Sequence, residues 1–251
     1  MEAATHKKLS DAIANCDFVI FDNDGVTYSI TKKMEDACAH AAAHVGQQLV
    51  PGLSFDEAFK LGCESYKEHG SNTRVFAVRY GIDEKILHAA FHHHAVVNLE
   101  VSNEGIAAEF DKFHMPRAML TLADRVWAYR VLDQLELRRH FPNKSIYTCA
   151  EIGESKAVSP KPYVHVLDRE GFQAARTLMI EDTPINLVHA KALGMITVLI
   201  TGDKIIAPGQ YPHADFLIKN VREFLAAAHG LHPRLPAAPG KPILPVPGNL
   251  T

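Results

Sequence analysis

The chain has 251 residues, a formal net charge of −3 and 47% apolar residues, enough for one large domain or for a core carrying a smaller inserted one. Near-neutral charge without a long Lys/Arg block argues against a nucleic-acid polymer or a membrane surface as partner. No apolar run approaches the roughly 20 residues that span a bilayer.

The first fifteen residues hold no continuous apolar segment and predict a polar lead-in or short helix, not a signal peptide. Next comes Phe18-Val19-Ile20-Phe21-Asp22-Asn23-Asp24-Gly25-Val26, an apolar β-type run that drives into two aspartates and a glycine. A buried strand ending in carboxylates delivers them to the carboxyl edge of a sheet, where open α/β folds place their ligands. Residues 31–49 then carry Met34, Cys38, Ala41, Ala42, Val45 and Leu49 at helical spacing. After the Pro51-Gly52 break, Ser54 with Glu57 three residues on predicts a capping box, and Gly70 a helix stop.

Helical stretches follow around residues 73–80 and 83–94, the latter with Ile82, Ile86, Leu87, Ala90 and Phe91 on one face. His92-His93-His94 predicts a solvated helix face, because adjacent helical residues point in different directions and do not converge on one ion. No strand pattern interrupts this region, so residues 30–112 read as a helical insertion.

From Pro116 the chain alternates strand and helix. Arg117-Ala118-Met119-Leu120-Thr121 and Ser145-Ile146-Tyr147-Thr148 are strand candidates, with a helix from Asp124 between them burying Trp127, Val131, Leu132 and Leu135. Lys161-Pro162 opens a helix that Gly171 ends. Thr177-Leu178-Met179-Ile180-Glu181-Asp182 is a strand running into carboxylates, and Thr183-Pro184 starts a helix that reaches Gly194. Ile196-Thr197-Val198-Leu199-Ile200 is almost wholly apolar, as a strand covered on both faces requires. A last strand over 215–218 and helix over 221–228 complete a doubly wound, mostly parallel α/β sheet. The prolines from residue 232 onward predict an extended tail. The expected division is therefore a core of residues 1–29 and 113–231, a helical insertion of 30–112 and a proline-rich tail of 232–251. Cys16, Cys38, Cys63 and Cys149 are scattered, which favours reduced thiols and a cytoplasmic location over disulfides or zinc.

Four polar features fall where strands end or helices begin: Asp22 with Asp24, Thr121, Lys161, and Glu181 with Asp182. Each alone has a plain reading as a cap, a turn residue or a solvated lysine. A parallel sheet would bring all four to one edge.

In that order the four features resemble the motifs of the haloacid dehalogenase-like hydrolase superfamily. Phe21-Asp22-Asn23-Asp24-Gly25-Val26 resembles its first motif, Ala118-Met119-Leu120-Thr121 its second, Lys161-Pro162 its third and Met179-Ile180-Glu181-Asp182 its fourth. Thr148 is a rival for the second motif; Thr121 is preferred because Trp127-Ala128-Tyr129-Arg130-Val131-Leu132 follows it as in the family. Leu122 stands where many relatives have Asn. The resemblance implies a Rossmann-like core, with the helical insertion as a C1-type cap. Tyr66-Lys67-Glu68-His69-Gly70 and Arg79-Tyr80-Gly81-Ile82-Asp83 resemble the pyrimidine 5′-nucleotidase branch.

The resemblance further implies a small phosphate ester as substrate and Mg²⁺ as cofactor. Asp22 would be nucleophile and metal ligand, and the Asp24 backbone carbonyl a second ligand. Asp182, supported by Glu181, would supply the fourth-motif carboxylate to the metal. Lys161 would neutralise Asp22 and the phosphoryl oxygens, and Thr121 would bind those oxygens. The Asp24 side chain would be the general acid/base, a group that true dehalogenases lack. The alternatives are a sugar phosphomutase or sugar-phosphate phosphatase, and an inactive phosphate-ester binding protein. Tyr66, Arg74 and Arg79 are candidate substrate contacts.

Overall fold

The structure is a computed structural model that describes residues 3–95, 101–207 and 209–231. The predicted tail of 232–251 lies outside the described residues. Helix α1 (Ala3–Ala14) leads into strand β1 (Phe18–Phe21). The inserted helices α2 (Lys32–Leu49), α3 (Phe55–His69), α4 (Arg74–Tyr80), α5 (Glu84–Ala95) and the short α6 (Ile106–Phe110) follow. Then come β2 (Arg117–Thr121), α7 (Arg125–Gln134), β3 (Ile146–Thr148), α8 (Cys149–Ile152), α9 (Lys161–Glu170) and β4 (Thr177–Glu181). The chain continues through α10 (Leu187–Ala192), β5 (Ile196–Ile200), β6 (Phe216–Ile218) and α11 (Val221–Ala228).

The six strands form one sheet in the order β3-β2-β1-β4-β5-β6, with every neighbouring pair parallel. This is a Rossmann-like sheet with helices on both faces. From β1 the chain winds outward to β2 and β3 on one side and to β4, β5 and β6 on the other. The topological switch point, where such sheets bind ligands, therefore lies between β1 and β4.

Alternation along β1 assigns its side chains to two cores. Val19 and Phe21 face one apolar cluster with α1, α7 and α11, and Phe18 and Ile20 face the other with α9 and α10. Phe21 meets the rings of Phe110, Phe113, Phe141 and Phe224 at centroid distances of 5.5, 6.1, 5.8 and 5.8 Å, mostly edge to face. The residue before Asp22 is thus wedged among four aromatic rings, and truncating it to alanine would cost about 3–5 kcal/mol.

The helix starts follow their sequence signals. Thr31 caps α2, Ser54 and Glu57 form the expected capping box on α3, and Asp124 caps α7. Helices α2–α5 build a separate small core around Val45, Ala58, Phe76 and Leu87. The face predicted for α5 is only partly right, because Ile86 points outward and is 54% exposed.

Candidate active site

Strand register brings the predicted side chains to one edge. Phe21 pairs with Met119 on one side and Ile180 on the other, and the Asp22 N–H donates to the Ile180 carbonyl at 2.9 Å. Asp22 is therefore level with the ends of β2 and β4, which deliver Thr121, Glu181 and Asp182. Asp22, Asp24, Thr121 and Asp182 line a single cavity of about 160 Å³ between the sheet edge and the inserted helices.

The lysine at this edge is Lys156, not Lys161. Lys156 is fully buried, and its Nζ lies 2.9 Å from Asp22 Oδ2 and 2.6 Å from Glu181 Oε2 while donating to the Leu120 carbonyl at 3.1 Å. Burial opposes its charge, but Asp22 and Glu181 outweigh that and hold the ammonium well above its ordinary value. Lys161 sits at the exposed start of α9, with its Nζ 3.9 Å from Glu154. Lys161 is the first residue of α9, followed by Pro162, and is exposed. The Lys-Pro pattern thus points to a lysine five positions from the one that reaches Asp22. Lys156 comes from the irregular segment between α8 and α9, where no periodicity marks a direction.

Asp22, Glu181 and Asp182 form an acidic group in which one carboxylate oxygen from each lies within 4.8 Å of the other two. Asp22 Oδ1 accepts the Asn23 N–H at 2.7 Å. Glu181 is already engaged: Oε1 accepts the N–H groups of Asp182 and Thr183, and Oε2 takes Lys156. It is therefore the holder of the lysine and of the loop, while Asp22 and Asp182 keep faces toward the cavity. Burial, then the neighbouring Glu181, push Asp22 well above the carboxylate range, with Lys156 pulling the other way. Burial, then Asp22, push Asp182 up to about 6. Ionising all three carboxylates beside one ammonium would leave excess negative charge, which burial and mutual repulsion oppose and a cation would neutralise.

The donor set fits a hard divalent cation, being all oxygen. The backbone fits as well. A Cβ at Gly25 would fall 2.0 Å from Asp182 Oδ2, and Gly25 has φ of 74°, so only glycine allows the first loop to lie against that carboxylate.

The Asp24 carboxylate lies outside the acidic group of Asp22, Glu181 and Asp182. Its Oδ1 accepts hydrogen bonds from Tyr28 Oη at 2.5 Å, Trp127 Nε1 at 2.7 Å and Asn23 Nδ2 at 3.3 Å. Its side-chain oxygens are thus not part of the group that could hold a metal ion. Thr121 is fully buried at the cavity, and its Oγ1 accepts the Ala123 N–H at 3.0 Å. The rival Thr148 caps α8 and lies outside the cavity lining. The Trp127 and Tyr28 contacts were not legible in the sequence, because they join residues 103 and 4 positions from Asp24 with no motif linking them.

The inserted helices cover this edge. Gly70, with φ of 66°, ends α3 so close to the fourth-motif loop that a Cβ would lie 2.8 Å from Thr183 Cγ2. The Tyr66 hydroxyl also reaches the Thr183 side chain. His92 faces inward, contrary to the expected solvated triplet: it is buried, with Nδ1 3.6 Å from Asp124 Oδ2. His93 and His94 are exposed. Of the candidate substrate contacts, Tyr66 lines the cavity, Arg74 is paired with Glu84, and Arg79 is exposed.

The chain belongs to the haloacid dehalogenase-like hydrolases, whose sequence profile matches residues 16–205. No protein of curated function matches the chain in sequence. Among solved structures it is similar to a HAD phosphatase from Thermococcus onnurineus, with 18% identity, 82% of this chain and 95% of that one covered, and a TM-score of 0.52. It is similar to a protein of Bacteroides vulgatus provisionally assigned as a β-phosphoglucomutase, with 17% identity, 91% and 100% coverage and a TM-score of 0.59. The L-2-haloacid dehalogenase of Xanthobacter autotrophicus is a further match, at 14% identity, 84% and 97% coverage and a TM-score of 0.52. At these identities the likeness is one of fold. The four cysteines are free, and no helix among the described residues is long and apolar enough to cross a membrane.

Proposed function

We propose that this chain is a Mg²⁺-dependent phosphatase of small phosphomonoesters that works through an aspartyl-phosphate on Asp22. The observation that carries the reading is Asp24, a second carboxylate two residues on that lines the same cavity as Asp22. A halide leaves as a stable anion and needs no proton, whereas an alkoxide does. An acid poised beside the nucleophile is therefore of use for an ester and superfluous for a carbon–halogen bond.

In the first step an Asp22 carboxylate oxygen attacks phosphorus, the bond to the leaving oxygen breaks, and Asp24 gives that oxygen a proton. In the second step Asp24 takes a proton from water as the water oxygen attacks phosphorus. The bond to Asp22 breaks, inorganic phosphate leaves, and both aspartates return to their starting states. Lys156 stays charged beneath Asp22 and offsets repulsion between the carboxylate and the phosphoryl group. The Thr121 hydroxyl would donate to a phosphoryl oxygen. Asp22 and Asp182 would hold Mg²⁺, which when bound would neutralise phosphoryl charge. Helices α2–α5 act in this reading as a cap that excludes water and selects the leaving group.

A nucleoside 5′-monophosphate is the substrate we favour. From the inserted helices the rings of Tyr66 and Phe91 line the cavity, and no Lys or Arg belongs to its lining among the described residues. A sugar phosphomutase has to hold a second phosphate during turnover, and this lining offers that phosphate no permanent cation. The test is phosphate release from a panel of nucleotides and sugar phosphates, with Mg²⁺ and with chelator. Release should require Mg²⁺ and fall on the order of a thousandfold or more in Asp22→Asn. Undiminished release by Asp22→Asn would remove Asp22 as the nucleophile.

A further inference from the structure

All three hydrogen bonds that reach the Asp24 side chain from described residues end on the same oxygen, Oδ1. Trp127 Nε1 is a donor only, and the Tyr28 hydroxyl donates here because its partner is a carboxylate. Two short donors occupy both lone pairs of that oxygen, which cannot take a proton without giving one of them up. We propose that Trp127 and Tyr28 are positioning residues that clamp Oδ1 of Asp24 and leave Oδ2 as the oxygen that carries the proton to and from the leaving group.

Each side of the clamp is itself fixed. Tyr28 is buried just past the first-motif turn, and Trp127 is buried in the first turn of α7. The Trp127 backbone N–H donates to the cap residue Asp124 at 2.7 Å, so backbone and indole of one residue are both tied to carboxylates. The clamp acts through Asp24 alone, because neither donor reaches Asp22, Lys156 or Asp182 by any hydrogen bond described for them. Removing it leaves nucleophile and charge neutralisation in place and lets the acid rotate. The inference rests on the phosphatase reading for its catalytic consequence and on the contact alone for its geometry.

The experiment separates the two. Steady-state rates are compared for an aryl phosphate, whose acidic phenol leaves without help, and an alkyl phosphate, whose alkoxide needs the proton. Trp127→Phe and Tyr28→Phe should each lower kcat/KM for the alkyl ester about tenfold or more and for the aryl ester less than about threefold. Equal losses on both esters would make the two residues merely structural and overturn the role. Tyr28→Phe keeps its ring in place, so it stands in if Trp127→Phe does not fold. The contact is tested without turnover. Trp127 is the single tryptophan of the chain, so its indole N–H gives one resonance in a ¹H–¹⁵N spectrum of the isotope-labelled protein. That resonance should move in Asp24→Ala, and an unmoved peak overturns the clamp. A wild-type protein that releases phosphate from neither ester, yet shows the moved peak, would sink the phosphatase reading and leave the contact standing.

Discussion

The floor and the roof of the cavity are built by different physics. The floor is a set of charges that register places: β1, β2 and β4 end level with one another, and Lys156 is buried among the carboxylates they deliver. The roof, formed by α3 and α5, is largely aromatic and apolar, with Tyr66, Phe91 and two inward histidines. A charge in the floor has few substitutes, because an unpaired buried ion is costly. A ring in the roof contributes shape and area, which a neighbour can partly replace. On the proposed reading, chemistry belongs to the floor and choice of leaving group to the roof.

The sharpest way to break this contrast is at the two lysines. Lys156→Met should lower kcat about a hundredfold or more by leaving Asp22 and the phosphoryl charge uncompensated, while Lys161→Ala should stay within about twofold. Steady-state phosphate release decides it, and a reversed order would return the third-motif role to Lys161. Next in size is Gly25→Ala, which puts a methyl against Asp182 Oδ2 and strains a positive φ. The Mg²⁺ concentration for half-maximal activity should rise about tenfold or more, read from a Mg²⁺ titration at fixed substrate.

The roof should answer through stability. Burial, then the neighbouring His92, lower the His88 pKa from 6.5 to about 4. The unfolded chain therefore binds the proton first as pH falls, so the stability His88 permits is full above pH 6.5 and is lost downward through pH 4. At pH 5 the loss is about 2 kcal/mol, and His88→Gln should remove that part of the slope in urea melts at pH 7 and 5. The smallest effect is expected at Tyr66→Phe, which loses one hydroxyl contact to Thr183. KM should rise roughly two- to tenfold with kcat little changed. A larger fall in kcat would mean that the roof takes part in the chemistry.

The same contrast explains how much could be read in advance. Strand ends are legible: Asp22, Asp24, Thr121, Glu181 and Asp182 each follow an apolar run, and a parallel sheet has only one carboxyl edge. The start signals at Ser54 and Asp124 and the stop at Gly70 also fall on helix termini. Lys156 was not legible, since a long side chain from an irregular segment can reach the site from many positions. His92 was misread because α5 periodicity identifies residues that share a face but not which layer that face meets. The Asp24 clamp needed three dimensions, joining a helix after β2 to a turn after β1.

The ring cluster beneath Phe21 carries a consequence for how the molecule comes apart. Amides that open only with the whole fold exchange their hydrogens last, whereas small, separately packed layers open first. Asp22 follows directly on a residue locked among four rings, and its N–H is bonded to β4. Helices α2–α5 have their own small core and reach the cavity at Gly70, Tyr66 and His92, with Met34 of α2 packed into the larger core. Mild heating or denaturant should therefore lift the roof while the floor persists. On the proposed reading, the protein would over that interval discriminate poorly between leaving groups before it lost its nucleophile.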